Sequence, residues 1–274
     1  MATTNKGGER YLHGYEEWTK TWMQQRTAAR ELAFAVPHLR PGMQVIDCGC
    51  GPGSITVGLA EIVAPGQVTG VDIEPRQLEA ARALAVGRGV RNIRFEQGSV
   101  YDLPYPDASF DAATAHFVIE HVKDPVRALR ELRRVLKPGG FAAIKDPYYP
   151  AFTFRPRLPV IERFGELMAK ARAHSGASDA YAADLRACLL EAGFARTQAE
   201  AGTETPAGIG DGPPMLSFVM VHQLRERAFR DTVLAQGWAT EAELEDMSAA
   251  AAALGERADL FGFVVFVQAI GWVG

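Results

Sequence analysis

The sequence predicts an α/β protein built on a doubly wound, mostly parallel sheet. Short apolar, strand-like runs alternate with helix-like segments through residue 147, which is the pattern of parallel strands joined by crossover helices. A turn rich in glycine follows the first of these runs, at residues 49–53, and the second run ends in Asp72. Asp72 lies 21 residues after Gly51, and an acid about 20 residues beyond a glycine turn is typical of nucleotide sites in such sheets.

The glycine turn itself discriminates between ligand classes. Asp47 stands two residues before the first glycine, and position 54, where a dinucleotide fingerprint has its third glycine, is Ser54. A carboxylate at this turn repels a diphosphate and attracts a cationic group such as an ammonium or sulfonium. The turn therefore disfavours an NAD-dependent oxidoreductase. The alternative to a ligand-binding turn is an ordinary strand–turn–helix connection in which the glycines serve only close packing.

Four motifs in order resemble the class I S-adenosylmethionine (SAM) methyltransferases. They are the Asp-x-Gly-x-Gly-x-Gly run that begins at Asp47, the acid Asp72, the segment 98–104, and the Pro-x-x-Ser-Phe-Asp turn at residues 106–111. The likeness spans about residues 32–147. The layout is similar to bacterial small-molecule methyltransferases related to the ubiquinone and menaquinone enzymes, including those of natural-product pathways.

The resemblance implies a seven-stranded Rossmann-like sheet whose last strand, at residues 261–270, runs antiparallel between the fifth strand and a sixth at 194–200. It also implies four segments. These are a helical lid at 1–37, the SAM-binding core at 38–147, a cap insertion at 148–180, and the C-terminal part of the core at 181–274. We expect two helices within 215–256 as a further insertion, and a mobile loop at 201–214, which is rich in glycine, alanine and proline.

The cofactor implied by the resemblance is SAM, and it assigns a set of binding residues. Asp72 is expected to accept hydrogen bonds from the ribose hydroxyls, unless it only caps the following helix. Ser99 replaces the acid that contacts adenine in the family, and a neutral hydroxyl is a weaker acceptor. The residues expected to bind SAM are Asp47, Gly49, Gly51, Asp72, Ile73, Gln77, Ser99, Val100 and His116. We add Tyr11 and Tyr15 because they belong to a polar-aromatic cluster in the N-terminal lid, which lies outside the resemblance.

Two histidines are candidates for catalysis. His116 ends the fourth strand, and an imidazole there can act as a base near neutral pH; alternatively it only lines the cofactor pocket. His13 lies between Tyr11 and Tyr15 in an amphipathic segment. We expect that segment to close over cofactor and acceptor and to exclude water, although a helix that merely packs on the core is the alternative.

A metal ion is not expected. The pair Glu120-His121 is similar to part of a metal-binding run in ubiquinone-biosynthesis O-methyltransferases, but the first acid of that run falls at Phe117, which cannot ligate. Cys48 and Cys50 have no second cysteine pair with which to complete a zinc site.

Composition narrows the function further. A net charge of −4 and the lack of a basic run argue against nucleic acid as a partner. The sequence has no apolar run of about 18 residues, so membrane insertion is not expected, and a start without a signal-peptide pattern suggests a cytoplasmic protein. The three cysteines fit a reducing compartment, and a homo-oligomer is compatible with the sequence.

The sequence thus predicts a SAM-dependent methyltransferase acting on a small, largely apolar acceptor. Aromatic residues after the fifth strand favour a ring-containing, polyketide-like or terpenoid-like acceptor. These residues are Tyr148, Tyr149, Phe152, Phe154 and, further on, Trp238. The resemblance to natural-product methyltransferases implies secondary metabolism, and we expect O- or C-methylation in preference to N-methylation. A non-catalytic SAM- or nucleoside-binding module is the main alternative, and an NAD-dependent oxidoreductase is the weaker one.

Overall fold

An eight-stranded sheet with helices on both faces forms the centre of the computed structural model. The structure describes residues 23–178, 181–207 and 215–274. Tyr11, His13 and Tyr15, on which the lid prediction depends, lie outside the described residues. The strands are β1 Gln44–Cys48, β2 Gln67–Asp72, β3 Ile93–Gln97, β4 Phe110–His116, β5 Leu136–Pro147, β6 Thr153–Arg155, β7 Arg196–Ala207 and β8 Phe261–Trp272.

The strand order confirms the predicted fold. Strands β3, β2, β1, β4 and β5 are parallel neighbours in that order. Strand β8 follows as an antiparallel strand between β5 and β7. One element, the short strand β6, was not predicted. It pairs with the first residues of β8, on the same side of β8 on which β5 pairs with the later residues.

Nine helices lie within the described residues. Their bounds are α1 Ala28–Glu31, α2 Ser54–Val63, α3 Pro75–Gly87, α4 Pro125–Val135, α5 Pro159–Ser175, α6 Tyr181–Glu191, α7 Met215–Arg225, α8 Arg227–Ala235 and α9 Glu241–Ala253. None of these helices combines the length and apolarity that a membrane crossing requires.

Local sequence explains the crossover helix α4. The side chain of Asp124 accepts a hydrogen bond from the backbone N–H of Arg127 at 2.9 Å, and Pro125 occupies the first helical position, where its missing N–H costs nothing. Leu129, Leu132 and Val135 share one face and are fully buried against the sheet. This periodicity sets both the existence of the helix and the face it turns to the core.

Two predictions about the C-terminal part were wrong. Of the loop predicted at 201–214, residues 201–207 belong to β7, because the long strand β8 offers them pairing partners along its length, and residues 208–214 lie outside the described residues. The segment 215–256 forms three helices, since Glu226 caps a separate helix α8. Helices α5, α7, α8 and α9 share an apolar core of their own, around Phe229, Leu167 and Leu244, so the two insertions pack as one unit.

Candidate functional site

A cavity of about 1010 Å³ opens at the carboxyl ends of strands β1, β2 and β4. Open α/β sheets bind ligands at this edge, where the connections of neighbouring strands diverge. Every predicted cofactor residue within the described part of the chain contributes to the cavity wall. These are Asp47, Gly49, Gly51, Asp72, Ile73, Gln77, Ser99, Val100 and His116.

The glycine turn after β1 is held by backbone hydrogen bonds. The carbonyl oxygen of Val71 accepts from the N–H groups of Gly49 and Cys50 at 2.7 and 3.0 Å. Gly49 has a φ of 69°, and a Cβ there would lie 2.3 Å from Cγ2 of Val118. Only glycine fits at this position, because both the backbone conformation and the neighbouring side chain exclude a larger residue.

Asp72 connects the glycine turn to the end of β2. Its Oδ2 accepts from the N–H of Gly51 and its Oδ1 from the N–H of Glu74, both at 2.9 Å. Glu74, and not Asp72, is the residue that caps helix α3. Burial raises the pKa of Asp72, against these hydrogen bonds. A carboxylate oxygen has further lone pairs, so the geometry leaves capacity for a hydroxyl donor from a ligand.

Asp47 is buried and both of its oxygens are engaged. Oδ1 accepts from the hydroxyl of Thr114 and Oδ2 from that of Thr56, each at 2.7 Å. Burial raises the pKa of Asp47 to about 6, although the two hydroxyls oppose this shift. Asp47 therefore braces β1 against β4 and α2, in addition to its place in the cavity wall.

The residues that the sequence assigned to the adenine, Gln77 and Ser99, both line the cavity. Gln77 is buried on the first turn of α3, and Ser99 follows β3. The Ser99 hydroxyl accepts from the N–H of Tyr101 at 3.3 Å, which steadies the loop in which Ser99 and Val100 stand.

His116 belongs to a buried polar cluster that sequence reasoning missed. Its Nε2 lies 3.1 Å from Oε2 of Glu31, and Nζ of Lys145 lies 2.8 Å from the same oxygen. Lys145 also contacts Oε1 of Glu204 at 3.1 Å. Burial lowers the pKa of His116 to about 4. Burial alone would raise the pKa of Glu31, but hydrogen bonds from His116 and Lys145 lower it to about 2.

The cluster could be anticipated only in part. Lys145 directly follows the apolar run of β5, so its position at the carboxyl end of that strand could be predicted from the sequence. Glu31 lies 85 residues before His116 on the four-residue helix α1, and no spacing rule links them.

Phe117 stands in a strained backbone conformation beside this cluster. Its φ is 58°, which is uncommon for a residue with a bulky side chain. Its ring stacks on His116, with centroids 4.0 Å apart, and the guanidinium of Arg26 lies 4.5 Å from its centroid. Such strain persists where the surroundings impose it, often at functional sites.

The residues after Phe117 bear on the metal prediction. The hydroxyl of Tyr149 donates to Oε2 of Glu120 at 2.6 Å, and Nε2 of His121 is 3.6 Å from Oε1. Within the ranges that the structure describes, no three His, Cys, Asp or Glu residues converge as a metal site would require. Independence from metal stays a prediction.

The far side of the cavity is largely apolar. Its apolar residues come from the segment after β5 and from α5 and α7: Tyr149, Phe152, Phe154, Ile161, Phe164, Met168, Leu216 and Val219. The same segment and α5 also contribute charged residues to the wall: Arg155, Arg157, Glu162 and Arg172. Tyr148 and Trp238, which the sequence also suggested for the acceptor, pack instead into two separate apolar cores. Asp146 is fully buried behind the wall and its Oδ1 accepts from the N–H of Val118 at 3.1 Å.

The segment before β1 reaches the cofactor side of the cavity. The carbonyl oxygen of Met23 accepts from the hydroxyl of Ser54 at 2.9 Å, and Met23, Arg26 and Glu31 stand in the wall. Residues 23–31 thus lie against the glycine turn and the end of β4.

Known proteins share this core. Residues 46–144 match a family model described as "Methyltransferase domain". The chain contains a class I SAM-dependent methyltransferase domain. SAM is the cofactor of such a domain. The carboxylate of Asp72 fits this cofactor, because it offers a hydrogen-bond acceptor to ribose hydroxyls beside the glycine turn, where Gly49 has no side chain to block their approach.

Curated relatives are similar to about half of the chain, and two of them illustrate this. "Probable methyltransferase ltbC" of Aspergillus luteorubrus is 36% identical over 163 residues, which are 55% of this chain and 57% of that protein. Demethylmenaquinone methyltransferase of Geobacillus stearothermophilus is 34% identical over 143 residues, 48% of this chain and 60% of that protein. The chain thus spans less than two thirds of either relative.

The fold is also similar to that of a solved structure. The YcgJ protein from Bacillus subtilis superposes with a TM-score of 0.58 at 23% identity, covering 89% of this chain and 99% of that one. At this identity the likeness concerns the fold.

Proposed function

We propose that the protein transfers the methyl group of SAM to a small, largely apolar acceptor. The observation that carries this proposal is the continuity of one cavity, with the SAM-motif residues on one side and an apolar wall of cap residues on the other. Its volume of about 1010 Å³ is at the upper end of the 300–1,000 Å³ typical of ligand pockets, which is consistent with cofactor and acceptor occupying it together.

The chemistry requires little beyond binding and orientation. Bound SAM supplies an electrophilic methyl group on a cationic sulfur. Asp72 would hold the ribose, with Gln77 and Ser99 on the adenine side and Gly49 allowing close approach of the backbone. The chain must then align an acceptor atom with the methyl group and keep water away, and alignment of this kind can lower a barrier by several kcal/mol, up to about 7–11.

The acceptor class follows from the opposite wall. Phe152, Phe164 and Met168 offer apolar surface, and aromatic rings pack well against such side chains. We therefore favour a ring-containing or terpenoid acceptor and O- or C-methylation over N-methylation. The placement in secondary metabolism rests on the sequence resemblance to natural-product methyltransferases.

A SAM-binding domain that transfers no methyl group is the alternative, because fold and cofactor site alone do not establish catalysis. Isothermal titration with SAM, S-adenosylhomocysteine and NAD tests the binding step. Micromolar binding of both SAM compounds, with no heat from NAD, is expected. Binding of NAD without SAM would overturn the cofactor assignment.

Transfer is tested with tritium-labelled SAM against phenols, enolisable diketones, terpenoid alcohols, indoles and amines, each with and without chelator. We expect label in an oxygen or carbon acceptor whatever the chelator. SAM binding without transfer to any class would favour the non-catalytic module. Activity lost on chelation and restored by magnesium would refute independence from metal.

A further inference from the structure

His116 and Glu31 form a buried pair in the cavity wall. Nε2 of His116 and Oε2 of Glu31 are 3.1 Å apart, and each residue is 6% exposed. The other ring nitrogen of His116, Nδ1, is buried and has no hydrogen-bond partner in the part of the chain that the structure describes. His116 is one of the residues that line the cavity, and an unsatisfied buried polar atom on such a residue calls for a partner that arrives with a ligand.

The pair determines which nitrogen of His116 carries the proton. Glu31 is ionised, with its pKa lowered to about 2, and a carboxylate only accepts hydrogen bonds. His116 is neutral at pH 7, because burial lowers its pKa to about 4. A neutral imidazole has one N–H, so Nε2 must donate to Glu31 and Nδ1 must carry a free lone pair.

Neighbouring groups hold this arrangement. Lys145 Nζ lies 2.8 Å from the same oxygen of Glu31, and Glu204 contacts Lys145 in turn. Arg26 also faces His116, and its charge, like that of Lys145, disfavours the imidazolium. The ring of Phe117 stacks on the imidazole at 20° between planes, which limits its rotation.

We propose that Glu31 is a positioning residue: it holds His116 as the Nε2–H tautomer, so that Nδ1 accepts the proton of an acceptor hydroxyl of the phenol or enol class. This inference rests on the proposed methyl transfer, and it adds to that function the group that removes the proton and the kind of hydroxyl that supplies it.

The proton-transfer step balances. The hydroxyl proton moves to Nδ1 of His116, and an electron pair of the acceptor forms the new bond to the methyl carbon. The electron pair of the broken methyl–sulfur bond stays on sulfur, which becomes a neutral thioether. His116 becomes an imidazolium next to the carboxylate of Glu31, and an anion in this position stabilises it.

The strength of the base narrows the acceptor class that the opposite wall of the cavity suggests. Proton transfer is efficient when the donor and the base are not far apart in pKa. A buried imidazole with a pKa of about 4 is a weak base, so it serves a comparatively acidic hydroxyl. Phenols and enols are closer to an imidazole in pKa than aliphatic alcohols are, and their flat rings or conjugated systems also suit the aromatic side chains of Phe152 and Phe164 in the cavity wall.

Nitrogen NMR on the full-length, histidine-labelled protein tests the tautomer without any substrate. His116 is assigned by the signal that disappears in His116→Asn. At pH 7 we expect the Nε2–H tautomer in the wild type and in Glu31→Asp, and a mixed or inverted tautomer in Glu31→Gln, whose amide can also donate. Glu204→Gln is the matched control, because Glu204 contacts Lys145 but not His116, and it should leave the tautomer unchanged.

Two NMR results overturn the positioning role. One is a wild-type His116 that carries its proton on Nδ1. The other is a Glu31→Gln variant with an unchanged tautomer.

Turnover tests the consequence, with the best phenol of the transfer panel as acceptor. Glu31→Gln should lower kcat, by up to about 10⁴-fold if its effect matches that of a wrong histidine tautomer in the Ser-His-Asp triad. Its affinity for SAM should be retained. Glu31→Asp should recover part of the lost kcat. Transfer to amines or aliphatic alcohols but not to phenols or enols would refute the acceptor class. Absence of SAM binding would refute the proposed function itself, while the tautomer result would stand separately.

Discussion

Lys145 and Glu31 form a buried ion pair, with Nζ 2.8 Å from Oε2 and both side chains 7% exposed. The pair joins the carboxyl end of β5 to the short helix α1, which is 114 residues away in the chain. Because both residues also contact other charged groups, the pair sets the position of the segment before β1 as well as the protonation of His116.

Removing the lysine alone should be costly. Lys145→Met leaves the buried carboxylate of Glu31 without its nearest cation, since Nε of the exposed Arg30 lies 3.7 Å from Oε1. Breaking such a buried pair by deleting one partner typically costs about 3–5 kcal/mol. We expect a loss of free energy of unfolding of that order, measured by urea denaturation at pH 7.

The double variant provides the control. In Glu31→Gln/Lys145→Met no charge of the pair remains, so part of the lost stability should return. If the double variant is no more stable than Lys145→Met, the ion pair does not account for the loss.

Asp72 should matter for cofactor affinity more than for stability. Hydrogen bonds to a charged acceptor contribute about 1.5–3 kcal/mol each, so Asp72→Ala should weaken SAM binding by about tenfold or more. Glu74→Ala is the matched control, since Glu74 caps helix α3 without standing in the cavity wall; it should cost about 1 kcal/mol of stability and leave affinity unchanged. Titration calorimetry measures the effect of each variant on SAM affinity, and thermal melts measure its effect on stability. If Asp72→Ala and Glu74→Ala lose the same amount of SAM affinity, Asp72 has only a structural role.

Substitutions at Gly49 and Gly51, two of the three glycines of the turn, should have different effects. Gly49→Ala places a methyl group 2.3 Å from Cγ2 of Val118 at a positive φ, so we expect a marked fall in the melting temperature. Gly51→Ala meets only the Met23 sulfur, at 3.5 Å, and should cost about 1–2 kcal/mol from its left-handed backbone.

The position of Gly51 in the cavity wall adds a second effect. Its new methyl group would stand where the cofactor approaches, so SAM affinity should fall in Gly51→Ala while the protein stays folded. Unchanged affinity would mean that the cofactor does not contact this glycine.

The positions of the residues predicted to bind the cofactor followed from the sequence, because these residues lie at the ends of strands. Asp47, Asp72 and His116 each stand at or near the end of a parallel strand, and such ends meet at one edge of the sheet. Short local patterns therefore located them without any knowledge of distant contacts.

The remaining features depend on contacts that local patterns do not encode. Glu31 meets His116 from a segment far away in sequence, and a lone acid on a short helix looks like a surface residue. The strand at residues 201–207 was missed for a related reason: its composition suits a loop, and pairing with β8 overrides that preference. The three helices after residue 215 required recognition of Glu226 as a cap.

Asp146 gives a pH-dependent prediction. It is fully buried, its Oδ1 accepts from Val118, and its Oδ2 has no partner among the described residues. Burial, with a contribution from Glu120, raises the pKa of Asp146 well above its ordinary value. The folded protein therefore binds a proton more tightly than the unfolded chain, and stability falls as pH rises from about 4 toward the raised pKa.

Asp146→Asn removes this cost because the amide is neutral at every pH and still offers Val118 an acceptor oxygen. At pH 8 we expect Asp146→Asn to have a higher melting temperature than the wild type. The gain in free energy of unfolding should be about 1.4 kcal/mol for each unit by which the pKa of Asp146 is raised in the folded protein. The difference should narrow at pH 4. Asp146→Ala is the control, since it leaves the N–H of Val118 without an acceptor and should be destabilising at both pH values. Thermal melts from pH 4 to 8 make the comparison. A difference between Asp146→Asn and wild type that does not change with pH would show that Asp146 folds with its charge intact.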